Sequence, residues 1–294
     1  MKYLFIFLVF GFVFYSCEKE ITVDLPQAKD KIVIEGSIEN DMFPIVIISR
    51  NMSYFDKVDA DTYEQLIVDD AIVTVTCEGV TDTLFFINPF YTNFTVIGEI
   101  GKKYDLKVEV EGKVITGTTI IPNAIPVDSI KFFPSKVEGR DSLGFLWFYA
   151  MDPDTLGNCY RIFTKTEGKD PFFVHPAGSA TNDQFFNGQL IEFSVESGDN
   201  PYIEEPETNP DSVAPSYYFM IGDTVTIKLS SITSDHYMFW YTIEQQMGTD
   251  GNPFASPTTV RSNLKGDALG VWGGYGSIPK TFIITEDMIM EDKK

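Results

Sequence analysis

Histidine is nearly absent from this chain, which contains two histidines in 294 residues. Neither His175 nor His236 stands in an H-E-x-x-H spacing or beside a G-x-S-x-G turn, so two common hydrolase motifs are missing. Carboxylates are plentiful, but among 43 acidic residues no pair stands out as an acid–base couple. We therefore expect no enzymatic activity, no metal and no other cofactor. The alternative, a hydrolase, would need one acid whose replacement abolishes turnover without destabilising the fold.

Basic residues are also few, and this excludes one class of partner. The chain has 22 lysines and arginines against 43 acidic residues, for a net charge of −21. Such a chain repels phosphate backbones, so we expect no binding to DNA or RNA. A hydrophobic content of 44% and an aromatic content of 14% instead indicate folded cores.

Cysteine is equally scarce, with three in the chain. Cys77 continues the predicted strand face of Val73 and Val75, a position typical of a small core residue. Cys159 lies in the other half of the chain, and we expect no disulfide bond between Cys77 and Cys159. The third cysteine, Cys17, ends the longest apolar run.

That run occupies residues 4–14, follows Lys2 and is closed by Ser16-Cys17. A short run with a basic start is typical of a secretory signal rather than a membrane span, so we expect a signal peptide over residues 1–16. Because the break ends on cysteine, the segment resembles a bacterial lipobox. The resemblance implies cleavage between Ser16 and Cys17 and acyl chains such as palmitate on Cys17. The alternatives are an uncleaved anchor, or an ordinary signal that precedes a cysteine.

Residues 17–30 are polar and contain Pro26, which predicts a tether between the lipid and the fold. Glu18-Lys19-Glu20 resembles the short signal that directs Bacteroidota lipoproteins to the cell surface. A plain solvated spacer is the alternative. Together with the lipobox, these residues favour an outer-membrane protein, held by its lipid, that faces the cell exterior.

Residues 31–121 have the alternating pattern of half-buried strands. Apolar and charged residues alternate strictly over 104–110, and Glu111-Gly112-Lys113 predicts a hairpin turn into the next strand. About six or seven short strands predict a β-sandwich of immunoglobulin-like or transthyretin-like kind. A polar insertion at residues 51–65 is long enough to be a functional or mobile loop.

Two prolines at residues 122–126 mark the predicted domain boundary, because proline blocks ladder pairing. Residues 127–294 return to the strand pattern and predict a second β-rich domain, interrupted by an acidic solvated loop over 196–211. One helix is predicted over 235–247, with a serine before it and a glycine after it. The helix is apolar almost all round, so we expect it to be buried against the open face of the second sheet.

Aromatic residues among glycines mark the segment 251–276 as a candidate contact surface. Glycines flank Trp272 and Tyr275 and allow the backbone to approach another surface closely. Rings held in this way, with Phe254 and with Tyr54 of the polar insertion, could stack on a sugar or fill a groove of a partner protein. The simpler interpretation, which we favour, is a strand with glycine bulges that closes the second domain.

Six triplets of Asp, Ser or Thr, and an apolar residue resemble the acceptor pattern for O-glycosylation of exported Bacteroidota proteins. Turns and strand starts produce the same pattern, because Asp favours turns and Thr favours strands. A mass increment on the corresponding peptides would distinguish the two. The predicted acceptors are Thr83, Ser129, Ser142, Thr155, Ser212 and Thr224.

Several segments together resemble an uncharacterised family of Bacteroidota outer-membrane lipoproteins, a domain of unknown function that is commonly encoded beside a TonB-dependent receptor. The most specific part is the stretch from Asn-Pro-Phe at 252–254 to residues 269–275. The matching segments are Cys17-Glu18, 21–26, 31–36, 101–110, 237–246, 251–257, Ser262-Asn263 and 269–275.

The resemblance implies a location and a partner, but no catalytic residues. It favours a non-enzymatic surface lipoprotein that works with a TonB-dependent receptor in the capture or presentation of a ligand. The alternative is a stand-alone surface module that binds a carbohydrate or a protein.

Overall fold

The computed structural model describes residues 31–52, 60–135, 142–198, 218–249 and 258–290, and this part of the chain is mostly β. The predicted β-rich class, with sheets packed face to face and one long helix, is confirmed. The strands are β1 Ile32–Glu39, β2 Ile45–Arg50, β3 Ile72–Cys77, β4 Val80–Ile87, β5 Phe90–Thr92, β6 Lys103–Val110, β7 Lys113–Ile120, β8 Ser129–Pro134, β9 Leu143–Met151, β10 Cys159–Thr166, β11 Ala180–Asn182, β12 Leu190–Val195, β13 Phe219–Met220, β14 Thr224–Ile232, β15 Ala268–Ser277 and β16 Lys280–Ile283.

The first half of the chain forms a sheet with the order β1-β2-β5-β4-β3-β6-β7 around one core. Strand β6 illustrates how the sequence places one face of this sheet against the core. Its apolar residues alternate with charged ones, and every second side chain is buried. The predicted hairpin after it is present, and both Glu111 and Gly112 have the positive φ angles that a tight two-residue turn requires. Buried members of this core include Ile34, Ile48, Val73, Tyr104, Leu106, Val108 and Ile115.

Strand β15 completes this first sheet although it lies far along the sequence. It runs parallel to β1 over eight paired positions, from Ile32 opposite Ala268 to Glu39 opposite Tyr275. Its Trp272 is fully buried in the first core. The predicted domain boundary at 122–126 stays a prediction. Strand β15 follows this boundary in the sequence but belongs to the first sheet, because Trp272 is buried in the first core.

The second half of the chain packs one sheet against another. Strand β9 is central in a four-stranded sheet, with β8 on one side and β12 and β13 on the other. This sheet faces β10 and β14, which extend the long sheet beyond β15. The core between the two layers includes Phe132, Leu146, Phe148, Tyr160, Ile162, Val225 and Leu229.

A helix over Ser234–Thr249, the long helix, covers the other face of this extended sheet. Its Phe239 and Trp240 pack against Val271 of β15. The position agrees with the predicted helix over 235–247. The helix is buried along one face, whereas Tyr241 and Met247 remain exposed. Within the described ranges, no helix is long and apolar enough to cross a bilayer.

Two further predictions concern cysteines and loops. Cys77 and Cys159 are free thiols that pack in separate cores. A short helix, Ala60–Leu66, overlaps the end of the insertion at 51–65 and was not predicted from the polar sequence. Residues 53–59 of the insertion lie outside the described residues. Most of the acidic segment 196–211 lies outside the described residues.

Candidate ligand-binding cleft

A cleft of about 600 Å³ opens between the long helix and the chain segment from β11 to β12. Its volume is within the range of small-molecule sites in proteins. One wall is the outer face of the helix, and the other is the segment that leaves β11, turns, and returns as β12. The lining residues are Ala180, Thr181, Asn182, Gln184, Phe185, Phe186, Leu190, Ile191, Glu192, Phe193, Tyr237 and Tyr241.

The helical wall is a pair of stacked tyrosines. Tyr237 and Tyr241 are four residues apart and therefore lie on one face of the helix. Their ring centroids are 5.6 Å apart at an interplanar angle of 29°, and Tyr241 is 40% exposed. Burial raises the pKa of Tyr237, with a smaller contribution from Tyr241, so its hydroxyl stays protonated and can donate a hydrogen bond.

The opposite wall presents a phenylalanine to solvent. Phe185 is 87% exposed, although it ends an ordered 3-10 turn over Asp183–Phe185. The buried carboxylate of Asp183 fixes this turn, because its Oδ2 accepts hydrogen bonds from the backbone N–H groups of Gly157 at 2.8 Å and Asn158 at 2.9 Å. Asn182 Oδ1 caps the turn by accepting from Gln184 N at 3.2 Å. The backbone that carries the exposed ring is therefore fixed and is not part of a free loop.

Polar side chains accompany these rings. Thr181, Asn182 and Gln184 supply hydroxyl and amide groups, and Glu192 is the one charged side chain among the described residues that line the cleft. The hydroxyl of Tyr149 donates to Glu192 Oε1 at 3.1 Å and positions its carboxylate. The cleft thus combines apolar ring faces with neutral and acidic hydrogen-bonding groups.

A buried arginine of strand β10, Arg161, stabilises the helical wall from the side of the sheet. The Nε of Arg161 donates to Ser179 Oγ at 3.3 Å, and that hydroxyl donates to Glu244 Oε1 of the long helix at 2.9 Å. The Arg161 guanidinium carbon lies 3.3 Å from the ring centroid of Trp240, also on this helix. Its Nη1 donates to the hydroxyl of Tyr275 at 2.9 Å. These contacts hold the helix against the sheet and thereby fix the position of the tyrosine pair.

A second buried cation joins the two halves of the chain. Lys228 of β14 forms a 2.8 Å ion pair with Glu39 of β1, and both side chains are largely buried. Its ammonium also lies 4.5 Å from the ring of Phe173 and 4.8 Å from the ring of Phe163. Because the charge is paired and surrounded by aromatic faces, we interpret this cluster as structural.

Of the predicted contact aromatics, two lie in described residues, and both are buried. Trp272 is 0% exposed, and its indole Nε1 donates to the backbone oxygen of Tyr104 at 3.0 Å. Asn263 pairs with both backbone groups of Trp272, as a neighbouring strand would. Tyr275 is buried behind the long helix and accepts from Arg161. In the described residues, this stretch is a core strand, as the simpler interpretation expects, but it pairs with β1 and completes the first sheet rather than closing the second domain.

The other predicted sites have mixed outcomes. Tyr54, Phe254, Ser16 and Cys17 lie outside the described residues, as does the acceptor Ser212. The remaining acceptors suit modification by their position, and glycosylation itself stays a prediction. Thr83, Ser129, Ser142 and Thr155 are exposed, and Thr224 is half-buried.

No pattern in the sequence directly predicts the cleft. Tyr237 and Tyr241 belong to a helix whose apolar residues predict burial, and only the packing shows which of them stay outside. Phe185 follows Asp183, and a buried Asp that caps a turn cannot be distinguished from a surface Asp by type alone. The adjacent phenylalanines at 185 and 186 were the available clue, since two neighbouring residues rarely point into one core.

His236 makes the fold sensitive to acid. Its ring is buried against Gly273 and 4.7 Å from the ring of Tyr275. Burial, reinforced by Arg161, lowers its pKa from 6.5 to about 3. The unfolded chain therefore takes up this proton near pH 6.5, whereas the folded chain resists it. The contribution of neutral His236 to the free energy of unfolding is therefore complete above pH 6.5. As the pH falls from 6.5 towards 3, this contribution is lost at about 1.4 kcal/mol per pH unit.

We expect His236→Gln to reduce this acid sensitivity. Urea unfolding of both proteins at pH 7 and pH 5 measures the effect. The loss of unfolding free energy between the two pH values should be smaller in the variant by about 2 kcal/mol. An identical loss in both proteins would show that the imidazole is not responsible.

The described part of the chain is thus a mostly β protein in which two cores share one long sheet, and it presents an open aromatic cleft. The chain belongs to the family described as a domain of unknown function, DUF4249, whose model matches residues 18–279. This match confirms that the chain resembles an uncharacterised family. No curated protein matches the chain significantly.

Proposed function

We propose that this protein is a lipid-anchored, non-enzymatic surface subunit that captures or presents a ligand for a TonB-dependent receptor of the outer membrane of a Bacteroidota cell. The observation that carries the proposal is the apolar run at 4–14 followed by Ser16-Cys17, directly before the point where the family match begins, residue 18. In a chain cleaved before Cys17, the lipid-bearing residue would directly precede the matched region, 18–279.

The tether and the acyl chains have separate roles in this proposal. Each buried methylene contributes about 0.8 kcal/mol, so the several chains of a bacterial lipoprotein hold firmly where one would bind reversibly. The 14 residues of the tether at 17–30 span at most about 50 Å when extended. The folded body would therefore stay close to a receptor in the same membrane.

The cleft supports binding rather than catalysis. A glycosidase of the usual kind places two carboxyl groups on either side of the bond it cleaves. In the described residues that line the cleft, Glu192 is the one carboxylate, and it accepts a hydrogen bond from Tyr149. The exposed Phe185 is equally compatible with the second candidate, a module that binds its ligand without a receptor.

Labelling and purification test the proposal in native cells. Radiolabelled palmitate should enter the wild-type chain and not the Cys17→Ala variant, and protease added to intact cells should digest the wild-type protein. A tagged protein purified at native expression in mild detergent should retain the receptor. Failure of labelling or digestion would overturn the surface anchor. Labelling without the receptor would support the stand-alone module.

A further inference from the structure

We propose that the cleft between the long helix and β12 binds a neutral carbohydrate, with Phe185 and Tyr241 as the stacking surfaces. The inference rests on the proposed function, since it names the ligand class that the surface subunit would capture. Neither aromatic residue was among the contact residues predicted from sequence.

The first reason is the exposure of the rings. A large apolar side chain buries most of its area when the fold allows it, and this burial stabilises the protein by about 2 kcal/mol. Phe185 does not gain this stabilisation, because the turn fixed by Asp183 holds it in solvent. Tyr241 is likewise exposed, on a helix whose Glu244 is joined through Ser179 to the buried Arg161. Two exposed aromatic side chains on a fixed backbone can bind a ligand without the cost of ordering a loop.

The second reason is the charge of the lining. The described residues of the cleft include Glu192 and no lysine or arginine, and the chain carries a net charge of −21. A phosphate or carboxylate ligand would be repelled. The remaining polar groups, on Thr181, Asn182 and Gln184, both donate and accept hydrogen bonds, as the hydroxyl groups of a sugar require.

The third reason is that a sugar matches both the exposed aromatic rings and the neutral polar groups of the cleft. A pyranose ring presents apolar C–H groups on its faces and hydroxyl groups around its edge. A lipid would leave the polar groups of the cleft unpaired, which is costly. The combination of exposed ring faces and polar groups therefore favours a sugar over a lipid.

The test uses the full-length protein, purified in detergent with its native processing. Affinity gel electrophoresis with neutral polysaccharides (starch, mixed-linkage glucan, mannan, xylan and arabinan) identifies a ligand, and calorimetry with the matching oligosaccharide measures its affinity. We expect Phe185→Ala and Tyr241→Ala each to weaken binding by about tenfold or more. Because Phe185 is 87% exposed, its replacement should leave the melting temperature within the error of the wild type, whereas loss of the Tyr237–Tyr241 stack should lower that of Tyr241→Ala by a few degrees at most.

Two further variants make the result specific. Phe94→Ala removes an exposed aromatic side chain of the first half and should leave affinity unchanged. Glu192→Gln keeps a hydrogen-bonding group but removes the charge, so sugar binding should change by only a few fold. Tetramethylammonium serves as a cationic probe, since aromatic rings and a carboxylate can also bind a cation.

Three outcomes would overturn the inference. They are no binding to any of the polysaccharides, binding that Phe185→Ala and Tyr241→Ala leave intact, and binding of tetramethylammonium that Glu192→Gln abolishes. None of them affects palmitate labelling or recovery of the receptor. A protein that is labelled and retains its receptor but binds no neutral sugar would therefore keep the proposed function and lose only its ligand class.

Discussion

Trp272→Ala should destabilise the protein by about 3–5 kcal/mol, the range for truncation of a buried tryptophan. The ring is fully buried among the apolar residues of the first core. Its loss would leave a cavity there and would remove the hydrogen bond to the backbone oxygen of Tyr104. Urea unfolding monitored by circular dichroism at pH 7 gives the change in unfolding free energy.

Phe185→Ala is the matched control for this substitution. It also truncates an aromatic side chain, but one that is 87% exposed, so its effect on stability should be within about 0.5 kcal/mol. Equal unfolding midpoints for Trp272→Ala and the wild type would contradict a core position of Trp272. If Trp272→Ala stays folded but no longer binds a ligand, Trp272 would instead belong to the contact surface predicted from sequence.

Gly273→Ala should produce the second large effect. A Cβ atom at this position would lie 2.0 Å from Cε1 of His236, well inside van der Waals contact. The imidazole is buried and cannot swing into solvent, so either the long helix or β15 must shift. Overpacking of this kind costs about 1–3 kcal/mol and occasionally more. Thermal and urea unfolding would both show the loss.

A double-mutant cycle identifies the cause of that loss. His236→Ala removes the ring that the new methyl group meets, so the effect of Gly273→Ala should be at least halved in this background. Gly248→Ala is the control, because nothing lies within 4 Å of its added Cβ. That substitution, near the end of the long helix, should be neutral or stabilising by up to about 1 kcal/mol. Full additivity of the two destabilising changes would rule out the contact.

Local patterns predicted much of the secondary structure. The alternation over 104–110 became β6, and the apolar helix signal became the long helix with ends within two residues of those expected. Both patterns depend on neighbours in the sequence. The parallel pairing of β1 with β15 does not, because it joins residues 236 positions apart, such as Ile32 and Ala268. Tertiary packing decides such pairs.

The cleft was harder to predict for a similar reason. A tyrosine on an apolar helix has the same sequence signal whether it faces the sheet or solvent, and Tyr241 faces solvent. The glycines around Trp272 indicated a close approach of two surfaces. That approach occurs inside the molecule, where Gly274 N donates to Thr119 Oγ1 of β7 at 2.8 Å. The sequence thus indicated the backbone geometry but not the identity of the neighbour.

The parallel pairing of β15 with β1 also determines when the first half can finish folding. Until residue 277 has been synthesised, β1 lacks its neighbour β15, and the first core lacks the indole ring of Trp272. Contacts so distant along a chain form slowly, since a long loop must close first. A nascent polypeptide of this design cannot complete its first sheet until most of the chain has been translated.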